Sequence, residues 1–497
     1  MRFTLGFPIL CIALTGCAVI PKPLDDGQLV AYAQDKHERV SLDQEPLSGP
    51  VDLYEAMARA LKYNLDKQVE VMEVQLRDRE LRVAHYSKLP ELASSFGFDD
   101  RNNYSGGSSV RILDDRTVGS ESLTSSSSSD RDVRSADLRF SWHILDFGLS
   151  YIRARQAADK VLIAEENRRR VVNRIVEDVR TAYWRAVTAT RLLHRLGRLE
   201  GRVTRAMRDT QELASKGDAS PLTALTYERE LVEIQREIRR LNGDLSTAKA
   251  QLAALMNVDP GAKFRVRVPN RMVQPRLVGM SPSEMVGTAL VNRSELREVA
   301  YHERINQHEA EAAIVEMLPG VSFSATPNWN SNQYLFNNHW VAWGAQASWN
   351  LMKVFSYPAR RAEVDAKDDL LGQRALAVTM AVMTQVHVSR ARLIHARRKY
   401  RSAQHFHDVQ ARIVHQIRSA LAAGKVSEQT AIREEMNGLV AEVKRDIAYA
   451  ELQGAFATMY SSMGLAPYGD VDADDFGVDG LEVALKDRWR ELGDRSG

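Results

Sequence analysis

Apolar residues recur along this chain in two rhythms. In the first, Leu231, Ile234, Ile238, Leu241, Leu245, Ala248, Leu252 and Leu255 step by three and four without a miss, and Val172, Ile175, Val179, Ala182, Ala186, Ala189, Leu193 and Leu196 keep the same beat before them. Met436, Val440, Val443, Ile447, Ala450, Gly454 and Ala457 repeat it more weakly near the C-terminus. Such spacing is a coiled-coil seam, and its many small knobs allow close helix approach. Proline is missing from 91–220, 222–259 and 359–466, which predicts uninterrupted helices over 149–216, 222–259 and 359–466. A helix of about 67 residues is roughly 100 Å long, far beyond an ordinary globular helix.

The second rhythm has a period of two. Ala136, Leu138, Phe140, Trp142 and Ile144 are apolar while Asp137, Arg139, Ser141 and His143 between them are polar. Val341, Trp343, Ala345, Ala347 and Trp349 alternate likewise with Gly344, Gln346, Ser348 and Asn350. Val321, Phe323 and Ala325, and more weakly Leu92, Phe96 and Phe98, complete a set of four strands, expected over about 91–101, 134–145, 320–329 and 339–351.

The two halves answer each other. Ala60-Leu61 and Ala289-Leu290, and Leu89-Pro90 and Leu318-Pro319, stand 229 residues apart. Ser141-Trp142 and Ser348-Trp349, Gly217 and Gly424, Ser220 and Ser427, Met256 and Met463, and Pro260 and Pro467 stand 207 apart. The difference of 22 residues is an insertion in the first copy between Asp99 and Arg134, a polar stretch that reads as a long exposed loop. The expected organisation is a first repeat over 51–262, a linker over 263–280, a second repeat over 281–468 and a tail over 469–497. Each repeat reads helix, strand, loop, strand, long helix, turn, long helix.

The N-terminus changes the compartment. One basic residue, Arg2, precedes an apolar run that closes on Leu14-Thr15-Gly16-Cys17, an export signal over 1–16. The pattern before Cys17 resembles the bacterial lipobox, which implies an acylated Cys17 and a lipid-anchored segment over 17–50. The chain has two cysteines, Cys11 and Cys17, and cannot form a disulfide framework. No run of about 18 apolar residues spans a membrane as a helix. A net charge of +2 and a mean hydropathy of −0.34 give no reason to expect nucleic acid.

Five of the seven tryptophans, Trp142, Trp329, Trp340, Trp343 and Trp349, lie in or beside the strands. Aromatic residues on alternating strands of about ten residues suit the girdle of a membrane barrel, with Trp142, Trp340, Trp343 and Trp349 as its expected members. Four strands cannot close a bilayer-spanning barrel, and each unpaired edge group in hydrocarbon costs several kcal/mol, so several chains must contribute strands.

Catalytic signatures are missing. His37-Glu38, His302-Glu303 and His308-Glu309 begin like zinc-protease motifs, but Ser41, Asn306 and Ala312 stand where the second histidine is required. His387, His395, His405, His407 and His415 share one helical region without pairs one turn apart. No enzyme activity, cofactor or metal site is expected.

After residue 50 the chain resembles the TolC-like outer-membrane efflux protein family. The resemblance rests on the duplicated order of elements, the junction Ser141-Trp142-His143-Ile144-Leu145-Asp146-Phe147-Gly148, the stretch Asn292-Arg293-Ser294-Glu295-Leu296, and the Gly-x-x-Ser turns at Gly217 and Gly424. It implies a mainly α fold with a membrane β-barrel: a homotrimer with a twelve-stranded barrel continued by a periplasmic helical tunnel, and an equatorial collar from 258–282 and the residues after Pro467. It also implies passive conduction in an efflux or type I secretion system, with a periplasmic adaptor and an ATP- or proton-driven inner-membrane pump as partners and the outer membrane as the site. Adaptor contact is expected at the tip turns, Gly217 and Ser220, and Gly424 and Ser427. Where some relatives close the aperture with acidic residues, this chain has Thr430 and Arg433, so three arginines near the axis would screen for anions. The competing expectation is a lipid-anchored coiled-coil scaffold without a pore, which has no use for Trp-rich alternating strands.

Overall fold

The computed structural model describes residues 21–495 apart from 41, 43, 109, 123–124, 217–220, 270–274, 276–278 and 466–475. The segment 1–16, Cys17 and the first tip turn with Gly217 and Ser220 lie outside the described residues.

After an exposed helix α1 (Asp26–Arg39), the first copy runs α2 (Leu53–Tyr63), α3 (Leu65–Tyr86), β1 (Glu91–Asp100), β2 (Gly106–Gly107), β3 (Val110–Ile112), β4 (Val118–Ser122), β5 (Ser126–Ser127), β6 (Asp132–His143), α4 (Ile144–Ser215), α5 (Pro221–Ser246) and α6 (Ala248–Leu255). The second runs α7 (Pro282–Asn292), α8 (Ser294–Val315), β7 (Gly320–Asn330), β8 (His339–Ser348), α9 (Leu351–Ala422) and α10 (Glu428–Ser462), and α11 (Val478–Arg495) ends the chain.

Two expectations are corrected here. The insertion is no open loop but an arm of paired strands, β2 with β5 and β3 with β4, continuing outward from the β1–β6 hairpin. Both of its faces are wet, so its ladder leaves no alternation in the sequence. The long helices also start earlier than the spans 149–216 and 359–466 expected for them. Helix α4 follows β6 with no intervening residue, and α9 begins where the Asn350 side chain accepts the Met352 N–H, carrying Pro358 inside it. Each has 72 residues, about 110 Å of helix.

The packing follows one plan above and below an equator. Nearest the sheet, the helices lie in the order α3, α4, α8, α9; toward the far end the order is α5 with α6, α4, α10, α9. Two unbroken rods, α4 and α9, thus alternate with two rods each made of two pieces. The predicted seams fill these contacts: Val179, Ala186, Ala189 and Leu196 of α4, and Leu231, Ile238, Leu245 and Leu252 of α5 and α6, are all buried. Glycine permits the closest approaches of α10, because a Cβ at Gly438 would stand 2.9 Å from Val414 of α9 and one at Gly454 2.9 Å from Thr181 of α4. Tyr449 of α10 joins the three, its ring 4.7 Å from Trp184 and 5.3 Å from Tyr400 between centroids.

At the equator the broken rods are spliced in parallel ways. Asn64, between α2 and α3, donates to the Leu255 carbonyl at the end of α6 (3.1 Å), and its side chain caps Lys67 N. Its counterpart 229 residues on is Arg293, between α7 and α8, which donates to the Ser461 carbonyl at the end of α10 (3.1 Å), to Gln385 of α9 (2.8 Å) and to Glu295. The orphan carbonyls of a helix end find partners in both copies. The residue that turns each returning helix away is left-handed: Asn257 at φ 56° and Gly464 at φ 69°, again 207 apart. Asparagine tolerates that region better than other side chains. Val51 and Val266 bridge in parallel beside this level, and α11 covers α2 with Val478, Leu481 and Leu485.

Gly464 has no room for a side chain, since a Cβ would stand 2.5 Å from the Asn292 carbonyl carbon and 2.7 Å from Arg293 N. Gly464→Ala is therefore expected to lower stability by about 1–3 kcal/mol, read as a fall in the midpoint of thermal unfolding by circular dichroism. Asn257→Gly, which keeps the backbone geometry open, serves as the tolerated comparison. Burial raises the carboxyl of Glu177 on α4 above its ordinary range, against the hydroxyl of Thr458 that donates to it, with Asp178 adding to the rise and Arg392 opposing it. The folded chain then keeps this proton to higher pH than the unfolded chain, so stability is lost as pH rises through the raised value. Glu177→Gln is expected to raise the midpoint at pH 8 and to leave it unchanged near pH 4.

Candidate functional site

The sheet, in the order β1-β6-β7-β8, has two unlike faces. Paired residues of antiparallel strands point to the same side. Leu92 is therefore level with Phe140, Ala325 and Trp343, and Trp142 with Phe323 and Ala345. This apolar face ends at one edge in Asp100, Asp132, Arg134 and His339. The other face carries Ser95, Asp137 and Asn328, then Ser141, Ser324 and Gly344. Of the expected girdle, Trp142 and Trp343 lie on the apolar face, and Trp349 just beyond β8 donates its indole N–H to the Met317 carbonyl (2.9 Å). Trp340 does not join them. It pairs with Asn328 and so stands on the polar face, one residue out of step with the apolar alternation of β8, in which Val341 holds the neighbouring place. Trp329, opposite Ala136 and His339, stands instead on the apolar face, near its charged edge.

The protomer is a strip with two open sides. One side is formed by β1, α3 and α5 in succession, the other by β8 and the unbroken α9. Both sides are apolar where they need a neighbour. Leu65, Val69, Met72, Leu76 and Val83 form an exposed heptad stripe on α3, Val69 and Val83 at 66%. Leu222 and Leu225 extend it along α5, while α9 exposes Leu370, Leu376, Met380, Phe406 and Ile413. These residues lie outside the seams read from the sequence, and one chain alone leaves them exposed.

At the tip between α9 and α10, Gly424 adopts φ 67° and Ser427 caps α10, its hydroxyl accepting the Thr430 N–H at 3.2 Å. Leu421 and Ala420 carbonyls accept from Gly424 and Lys425, which closes the end of α9. Arg433 lies on the second turn of α10, half-exposed, 4.0 Å from Glu230 of α5 and 3.6 Å from Glu434. Its charge is therefore shared between two carboxylates.

Farther along the rods, α4, α9 and α10 enclose a groove of about 760 Å³. Arg195, Arg202 and Arg418 line it, each paired with a carboxylate of α10: Glu442 for the first, Glu435 for the other two. Behind it, burial raises the carboxyl of Asp446 above its ordinary range despite Arg445 and Arg191 at its side. These crossed pairs tie α10 to both flanking rods. Among the described residues no group of histidine, cysteine or carboxylate side chains has the arrangement to hold a metal ion.

Residues 57–258 match the family model described as outer membrane efflux protein, which is a transport family and not an enzyme family. The chain is similar in structure to the CmeC outer membrane channel of Campylobacter jejuni (13% identity, TM-score 0.64, covering 94% of this chain and 98% of that one). It is also similar to the open-state MtrE outer membrane channel of Neisseria gonorrhoeae (14%, 0.63, 90% and 98%) and to the outer-membrane channel OprN (15%, 0.63, 83% and 90%). No curated protein sequence matches it. The fold is that of the TolC-like channels.

The open sides make a direct expectation. Val69→Glu with Leu76→Glu, on a stripe that one chain alone leaves exposed, should abolish self-association and leave helix content unchanged. Light scattering on detergent-solubilised protein, with circular dichroism alongside, checks both halves.

Proposed function

We propose that this chain, built on the fold of the outer-membrane efflux channels, is one subunit of a trimeric channel that carries cargo from the periplasm across the outer membrane. The observation that carries the proposal is the continuity of the two open sides through sheet and rods. A side made of β1, α3 and α5 fits a side made of β8 and α9 only head to tail, and a head-to-tail contact that closes makes a ring. Four strands from each of three chains give a twelve-stranded barrel with no edge left in the hydrocarbon. The apolar face then meets lipid and the polar face lines the pore. A coiled-coil scaffold would leave the apolar face of the sheet exposed to water.

Acylation at Cys17 would fix the N-terminus in the same membrane, a role supported by the sequence pattern alone. The tip turns, Gly217 with Ser220 and Gly424 with Ser427, are the proposed contacts of a periplasmic adaptor, which in turn would join an inner-membrane pump of the proton-driven or ATP-driven type. The capped end at Gly424 and Ser427 presents a firm surface to such a partner. Conduction through this assembly is passive, and no step in it calls for a catalytic group or a cofactor.

Thr430 and Arg433 are the proposed aperture residues. With Glu230 and Glu434 beside it, each Arg433 leaves a local sum of one negative charge, so a free ring of cations does not describe the tip. Its ion pair to α5 acts as a tie across the closed end. In planar-bilayer recordings, Arg433→Ala is expected to raise the open probability of the isolated channel and to move its selectivity toward cations, since the two carboxylates remain. Unchanged conductance and selectivity would remove Arg433 from the aperture.

A further inference from the structure

The polar face of the sheet is made mostly of serine, threonine, asparagine, glutamine and glycine, with small apolar residues such as Ala93 and Ala342, the imidazole of His143 and a few charges, and among these stands one large aromatic ring, that of Trp340. Trp340 is in a row that crosses all four strands: it pairs with Asn328, Asn328 with Asp137, and Asp137 with Ser95. The indole is 43% exposed although the alternation of β8 offers it an apolar position one residue away. Strands lie about 4.8 Å apart, so the indole and the Asp137 carboxylate stand roughly 10 Å from each other across the wall. The Ser95 hydroxyl donates to that carboxylate, and Asn328 stands in the row between the two, its amide N–H donating to the Thr326 carbonyl (2.7 Å).

The charge around the row has a sign. Glu91, Asp99 and Asp137 point to the polar face with Arg139, a sum of two negative charges per chain. Arg139 sits two residues from Asp137 on the same strand and face, in the row level with Ala93. A cation on the wall is therefore drawn toward one end of the Trp340 row and kept from the next.

We propose that Trp340, Asn328 and Asp137 form a cargo-contact site on the pore wall for lipophilic or aromatic cations, repeated three times around the axis. The inference rests on the channel reading, which makes the polar face the lumen. The apolar body of a drug-sized cation stacks on the indole, whose face attracts positive charge, while its charged end lies toward Asp137. Several weak sites of this kind suit a passive pore, where a bound molecule must also leave.

The test uses the full trimeric channel in a planar bilayer with tetraphenylphosphonium as the probe. Concentration-dependent block of the single-channel current is expected, weakened about threefold by Trp340→Ala, a change of about 0.7 kcal/mol within the range of an exposed cation–aromatic contact. Asp137→Asn should weaken it similarly, Trp340→Phe should keep most of it, and Trp343→Ala, on the opposite face, should leave it unchanged. A conducting Trp340→Ala channel blocked as well as the unmodified one overturns the site while the channel stands. A well-folded trimer with no conductance at all removes the channel reading and the site with it.

Discussion

A peptide group cannot be left without a hydrogen-bond partner in hydrocarbon, and the architecture of this protein follows from that constraint. One chain supplies four strands and therefore two bare edges, at β1 and β8. Neither edge can be closed by folding the chain back on itself, because both end strands adjoin helices committed to the rods. On the channel reading, satisfaction comes from other copies, and whatever else the protomer does must be compatible with standing in a ring. The exposed stripes on α3, α5 and α9 are the soluble counterpart of the same demand. In such a ring they supply apolar contact beyond the sheet, where water would otherwise satisfy a bare edge and leave nothing to hold the copies in place.

Duplication solved the helical half of the problem twice with different chemistry. Asn64 and Arg293 occupy one position in the two copies, yet the amide reaches one carbonyl and caps its own helix, whereas the guanidinium reaches three elements at once. Asn257 and Gly464 make the same left-handed exit, one with a side chain that uses it to donate to the Val40 carbonyl, the other bare because Asn292 and Arg293 press against it. The second copy is the more tightly sealed at the equator, and it is also the copy whose long helix forms an entire side of the protomer.

The seams and the four strands were legible in the sequence because both are periodic and each has one buried or apolar side. The tip at Gly424 and Ser427 was legible because a left-handed glycine and a capping serine are local events. What escaped has physical reasons. The arm formed by β2, β3, β4 and β5 is wet on both faces and leaves no period to see. Trp340 was grouped with the other tryptophans by residue type, when its place one step from Val341 and three from Trp343 already put it on the opposite face. The open sides needed the packing order, since an apolar stripe looks the same whether its partner is in the same chain or the next. The lipid anchor at Cys17 remains a matter of sequence pattern, as it lies outside the described residues.

The two sides of the protomer differ in one more respect. Helix α9 runs unbroken along one side, while the other is split at the equator, where α3 begins at Leu65 and α6 ends at Leu255. A smooth rod laid against another smooth rod could slide by a heptad and still match its seam. Laid against a side with a joint, it has a single axial setting in which the stripes above and below are both in step. On the channel reading, the splice at Asn64 is an indexing notch for assembly that sets how far each copy stands above its neighbour.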